Sequence, residues 1–135
     1  SHLIRALEGY DVHRGDLPIF IQLSKHDRPL CLGEIARESL KDRSRIGTSA
    51  KRLEKLGYVE FVPNRFHKTK KDVRLTEKGA RVAADLGAAL DEWTADLGSR
   101  LPEGLLDQLE RDLRLATEVA VQLEEEREER RAKGE

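Results

Sequence analysis

The chain has 135 residues, of which 38% are apolar, 38% charged and 4% aromatic, so one domain around one modest core is expected. The charged share exceeds the usual quarter, yet 25 Lys and Arg against 26 Asp and Glu leave a formal net charge of -1, which taken whole suggests no polyanion partner. No apolar run approaches the roughly 20 residues needed to cross a bilayer, no signal-peptide pattern is present, and phosphate-binding glycine loops, Cys-x-x-Cys pairs and His-x-x-x-His spacings are missing; a cytoplasmic protein without cofactor, metal or catalytic constellation is expected.

Leu3, Ile4, Leu7 and Tyr10 recur at helical spacing, predicting an amphipathic helix over residues 3–12 that is too short to stand alone. Asp16 as N-cap and Pro18 in the first turn open a second helix with Ile19, Phe20, Ile21 and Leu23, ending near Pro29. Leu30 to Leu32 predict a very short strand, Gly33 to Ser39 a short helix burying Ile35 and Ala36, and Lys41-Asp42 a tight turn. Asp42 or Ser44 caps the next helix, which runs to about Leu56 and closes at Gly57. At 100° per residue, Ile46, Ala50, Leu53 and Leu56 point one way. Ser44, Thr48, Lys51 and Lys55 point the other, with Arg45 and Arg52 at the edge of that polar face.

After Gly57, Tyr58 to Val62 and Val73 to Leu75 predict a hairpin whose tip carries Arg65, His67, Lys68, Lys70 and Lys71. Thr76 and Glu77 open a long helix in which Val82, Leu86, Leu90, Trp93 and Leu97 form a heptad-like seam. After a break at residues 98–102, a last helix carries Leu105, Leu109, Leu113, Ala116, Ala120 and Leu123, then fades into a charge run that is expected to fray.

Placing the charges reverses the inference from the net value. Residues 37–78 hold thirteen basic against six acidic side chains, and residues 103–135 hold six against eleven. The near-neutral sum hides a cationic middle and an acidic end, a pattern that points to nucleic-acid contact by one part of the chain.

The fold class that follows is mainly α with a small β-hairpin wing. It is a winged helix-turn-helix over residues 16–76, flanked by helical extensions at residues 3–12 and 77–130, all read as one domain over residues 1–135. The extensions carry more apolar stripe than a small monomer covers, so a homodimer is expected. Its interface would use Leu3, Leu7, Leu90, Trp93, Leu97, Leu105, Leu109, Leu113, Ala116 and Ala120.

The segment "EIARESLKDRSRIGTSAKRLEKLGYVE", Glu34 to Glu60, and the segment "VRLTEKGARV", Val73 to Val82, resemble the helix-turn-helix and wing exit of the MarR-type bacterial transcriptional regulators. PadR-type regulators share "LTEKG", but one helix before the winged part and two long helices after it favour the MarR type. The resemblance implies a homodimer with interlocked terminal helices, a pseudo-palindromic double-stranded DNA site, commonly repression, and in many members release by a small molecule. It also implies a bacterial or archaeal origin. The family's wing commonly carries Asp-x-Arg, and the aligned positions here are His67, Lys68 and Thr69, so no single wing residue inherits the arginine's role.

The DNA-binding candidates on the recognition helix are Arg43, Ser44, Arg45, Thr48, Ser49, Lys51, Arg52 and Lys55. Arg45 and Arg52 are the expected readers of base edges, because a long forked donor can bridge guanine O6 and N7 in the major groove. In the wing, Arg65, His67, Lys68, Lys70 and Lys71 are candidates for phosphate or minor-groove contact. The resemblance also implies an effector pocket between the dimerisation helices and the winged part, which Tyr10, Phe20 and Trp93 would border. Cys31 reads better as a small buried hydrophobe than as a redox sensor, and His13, His26 and His67 are too scattered for a metal site. The alternatives are a protein-protein interaction module built on the winged helix and, more remotely, an enzyme.

Overall fold

The computed structural model describes residues 2–134. Its contacts divide the chain into two compact units, Ser1–Asp91 and Glu92–Glu135. The first unit begins with helix α1 (His2–Leu7), shorter than the 3–12 span predicted. Gly9 ends it by taking a left-handed φ of 88°, and Tyr10 N–H returns to the Leu7 carbonyl at 3.1 Å. A single 3-10 turn (Arg14–Asp16) leads into α2 (Leu17–Lys25), with Pro18 in its first turn. Helices α3 (Leu32–Ser39) and α4 (Arg43–Lys55) follow, then an antiparallel hairpin of β1 (Val59–Pro63) and β2 (Lys71–Leu75), and then α5 (Glu77–Ser99).

The core of this unit gathers one face of every element: Ile19 and Phe20 from α2, Ile35 from α3, Ile46, Ala50 and Leu53 from α4, Val59 and Val73 from the hairpin, Val82 and Leu86 from α5. The predicted strand at Leu30 to Leu32 shrinks to one bridge, in which Leu30 and Val73 exchange both backbone hydrogen bonds at 3.0 and 2.7 Å. The chain cannot continue as a strand, because Cys31 already serves as the N-cap of α3. Its Sγ accepts from Glu34 N–H at 3.4 Å, and a Glu34 carboxylate oxygen accepts from Cys31 N–H at 3.4 Å, a reciprocal capping box with a thiol in the hydroxyl's place. Cys31 is therefore half-buried and capping, rather than a fully buried core residue.

Arg28 also donates to the Glu34 carboxylate, at 2.7 and 3.4 Å, and this bond above all holds the Glu34 carboxyl below the usual carboxylate range. A depressed folded value means the contribution is complete above the unfolded pKa of about 4.3 and is lost as pH falls through the folded value. Because the site is partly solvated, Glu34→Gln is expected to cost only about 0.5–1 kcal/mol at pH 7. Urea midpoints of parent and variant should converge once pH falls below the folded value; a gap that persists there would show that the carboxylate is not what Arg28 and Cys31 hold.

The second unit contains the end of α5 and helix α6 (Leu105–Ala132), which starts at Gly104 with φ of 80°. The acidic run expected to fray is helical as far as Ala132, with Arg127 and Glu124 at 3.8 Å across one turn. No residue of α6 is buried, and Leu105, Leu109, Leu113, Leu115, Val119 and Leu123 are all exposed. No helix among the described residues is long and apolar enough to cross a membrane.

Candidate nucleic-acid interface

Helix α4 lies on the core through Ile46, Ala50 and Leu53, which fixes what its other side presents. Arg43, Ser44, Arg45, Thr48, Lys51 and Lys55 are all exposed on that side, as predicted, with Thr48 Oγ1 donating to the Ser44 carbonyl at 3.1 Å. The remaining two candidates turn elsewhere. Ser49 donates its hydroxyl to Asp16 Oδ1, and Arg52 donates through Nη2 to Asp16 Oδ2 and through Nη1 to the Asp11 carbonyl at 3.0 Å. Asp16 is only 3% exposed, and a buried carboxylate requires a partner. Arg52 supplies it, so its guanidinium is committed to the protein instead of standing over a groove, and Arg45 alone remains as the free forked donor of the expected pair. Asp16 completes its shell by accepting from His13 N–H at 2.8 Å.

Between the 3-10 turn and the N-terminal half of α4 lies an open cleft of about 600 Å³, whose lining includes His13, Arg14, Lys41, Arg45, Asp16 and Arg52. The cationic surface of α4 thus continues onto the neighbouring turn, a continuation invisible to a periodicity count.

The end of α4 determines where the hairpin goes. Gly57 takes φ of 83°, its N–H bonds the Glu54 carbonyl at 3.0 Å, and Tyr58 N–H bonds the Leu53 carbonyl at 2.9 Å. This is a Schellman cap, and β1 begins one residue later. Strands pair Val59 with Leu75, Glu60 with Arg74, Phe61 with Val73, Val62 with Asp72 and Pro63 with Lys71, while Arg74 Nε donates to Glu60 Oε1 at 2.5 Å across the ladder. Arg65, His67, Lys68, Lys70 and Lys71 are all exposed at the tip.

The tip is ordered by Asn64, whose Oδ1 accepts from the backbone N–H of Phe66 and of His67, each at 2.9 Å. Its Nδ2 donates to both oxygens of the buried Asp72 carboxylate at 3.0 and 3.1 Å. Asn64 following Pro63 is a turn signal of known mechanism; the pairing with Asp72 has no sequence signature.

At the far end of the hairpin, "LTEKG" is a joint. Thr76 N–H donates to the Tyr58 carbonyl at 3.1 Å, its hydroxyl donates to the Gly57 carbonyl at 2.6 Å and accepts from Gly79 N–H at 3.1 Å. Lys78 Nζ donates to the Leu56 carbonyl at 2.7 Å and lies 4.3 Å from the Tyr58 ring centroid. The last turn of α4 and the first turn of α5 are thereby tied to the same short stretch of backbone.

The comparisons with known proteins agree with this geometry. No protein-family model matches the chain. A curated relative, the HTH-type transcriptional regulator BilQ of Clostridioides difficile (strain CD3), is 23% identical over 122 residues, 90% of this chain and 82% of the relative. Among solved structures, a MarR transcriptional regulator from Methanosarcina mazei Go1 superposes with a TM-score of 0.75 at 20% identity, over 90% of this chain and 87% of that one. CouR from Rhodococcus jostii RHA1, bound to p-coumaroyl-CoA, gives 0.73 at 18% identity over 86% and 81%. A mutant of S. aureus MepR bound to an oligodeoxyribonucleotide gives 0.61 at 19% identity over 87% and 86%. The fold is that of the MarR-type regulators. The expectation that the chain is not an enzyme agrees with these relatives, which are described as regulators or as ligand- and oligonucleotide-bound forms.

Within this MarR-type fold the remaining sequence candidates fall in two places. Tyr10 donates its hydroxyl to Asp85 Oδ2 at 2.5 Å, which raises its pKa, and its ring meets Tyr58 edge-on at 6.4 Å. Phe20 is 1% exposed, edge-on to Tyr58 at 6.2 Å. Phe20 also borders an apolar cavity of about 220 Å³ with Ile21, Ser24, Lys25, Leu86 and Leu90; Tyr10 does not line it. Trp93 belongs to the second unit and is half exposed.

Of the residues expected at a dimer interface, Leu7 packs on the core of its own unit and Leu90 lines the cavity. Leu97 and Ala120 are half-buried, whereas Trp93, Leu105, Leu109, Leu113 and Ala116 are exposed. The side chain of Leu3 lies outside the described residues. His26 is occupied with Glu38 at 2.9 Å.

Proposed function

We propose that this chain is a sequence-specific, double-stranded DNA-binding transcriptional regulator that acts as a homodimeric repressor. The observation that carries the reading is that two exposed cationic features, the solvent face of α4 and the tip of the hairpin, sit on elements joined without slack at Gly57. The description of BilQ as a transcriptional regulator and the oligodeoxyribonucleotide bound to MepR support the same reading. In this mechanism α4 enters a major groove, Arg45 reads a base edge, and Ser44, Thr48, Lys51 and Lys55 hold the register on phosphates. The unburied apolar stripe of α6 supports association of two copies. A dimer would set two recognition helices about 34 Å apart on one side of the duplex, over a pseudo-palindromic site, and block promoter access.

The p-coumaroyl-CoA bound by CouR suggests a companion proposal, release of DNA by a small effector. The cavity beside Phe20, with Lys25 at its edge, is the candidate entry point.

Selection of duplexes from a randomised pool tests the reading. Arg45→Ala is expected to weaken the selected site by about 1–3 kcal/mol and to relax its preference at one position in each half-site. A twofold repeat with half-sites one helical turn apart and a steep fall of affinity with salt are also expected. Unchanged preference in Arg45→Ala, or a flat salt dependence, would overturn it.

A further inference from the structure

We infer that the wing carries an apolar wedge, Phe66, which inserts into a DNA minor groove and partly unstacks a base step there. The inference rests on the DNA-binding reading above, and adds to it a contact that no basic residue can make. Phe66 is 82% exposed at the hairpin tip, the most exposed large apolar side chain of its unit among the described residues. Its position is not a slack loop's accident: Asn64, anchored on the buried Asp72, accepts from the backbone N–H of Phe66 itself. The Arg65 guanidinium lies 5.6 Å from the Phe66 ring centroid and further orients it.

The surroundings identify the partner. Arg65, Lys68 and Lys70 lie within four positions of Phe66 in the chain and residues 64–70 contain no Asp or Glu, so the tip suits a surface of dense negative charge. An exposed aromatic ring gains little from phosphates, whereas a base step offers it a flat apolar face. Proteins that bend DNA insert phenylalanine or leucine between base steps of the minor groove in this way. The reach also fits. A five-residue strand extends about 17 Å, close to the half-turn of about 17 Å that separates a major groove from the next minor groove along the duplex. With α4 in one groove, a hairpin running along the duplex would bring its tip to the other.

The test uses the full chain and the duplex recovered by selection from a randomised pool, with 2-aminopurine placed in the flanking minor-groove steps and dyes at both ends to report bending. Wild-type protein should raise the 2-aminopurine emission and shorten the end-to-end distance. Phe66→Ala should bind about tenfold more weakly, the order expected for one stacked ring, with no rise in emission and an unchanged thermal midpoint. Phe66→Leu should retain most of the emission rise. Equal affinity and equal emission for wild type and Phe66→Ala, or wild-type binding without any rise, would overturn the wedge while leaving DNA binding intact. Failure of the wild type to enrich any duplex would remove the DNA-binding reading, and the wedge with it.

Discussion

Gly79→Ala is expected to lower stability by about 2–3 kcal/mol, even though alanine is the better helix former by about 1 kcal/mol. A Cβ at this position would lie 1.9 Å from the Tyr58 carbonyl oxygen, 3.0 Å from its carbon and 3.2 Å from Leu75 Cδ2. The obstacle is backbone, and that backbone is already held by Thr76 N–H, so neither side can yield cheaply. Relief would require α5 to lift from the hairpin and break the bonds that Thr76 and Lys78 make to Gly57 and Leu56. In a thermal melt this amounts to a fall of roughly 10 °C for a chain of this size. Gly87→Ala is the internal control, since it sits on the same helix with nothing within 4 Å of the added methyl and should gain up to about 1 kcal/mol from propensity. Equal effects at the two glycines would refute the close approach at Tyr58.

Asp16→Ala is expected to cost about 2–3 kcal/mol. The carboxylate is buried and accepts from His13 N–H, Ser49 and Arg52, so the change strands several donors at once. Removing one partner of a fully buried ion pair costs about 3–5 kcal/mol; the side chain of Arg52 is 33% exposed and can recover part of its hydration, which sets the lower figure. Asp16→Asn keeps the shape but turns an N–H₂ group toward a donor, and should lie between the parent and Asp16→Ala. Urea titration with an unchanged slope would report the loss. Arg52→Ala should destabilise the fold in parallel, whereas Arg45→Ala should not. A double variant at Asp16 and Arg52 should lose less than the sum of the two singles; strict additivity would show that the two side chains do not depend on each other.

These two sites mark the boundary of what could be read in the chain. The helix-turn-helix, the hairpin, the capping glycine at residue 57 and the long terminal helices all follow from periodicity and turn chemistry, because each depends on neighbours within one or two turns. The exposed face of α4 was legible for the same reason. Arg52 was not, since the angle that placed it at the edge of that face says nothing of an aspartate 36 positions earlier in the chain. Asp16 itself reads as an ordinary helix cap, and only the fold reveals that it faces inward. Cys31 looked like core because free cysteines usually are, and its role as a cap came from a glutamate three residues on. Phe66 was missed because hydrophobic patterns are sought on helices and strands, and a lone aromatic among loop cations belongs to no period.

The Schellman turn at Gly57 has a consequence for how such a protein can change over generations. All three backbone N–H groups between α4 and β1, those of Leu56, Gly57 and Tyr58, are spoken for, so the angle from helix to hairpin is a fixed ruler rather than a hinge. On the proposed DNA-binding reading, a lineage carrying this joint would revise its target letter by letter, by exchanging side chains at the two ends of the ruler. Altering the distance between the letters would require breaking the joint itself, and with it the seat of α5.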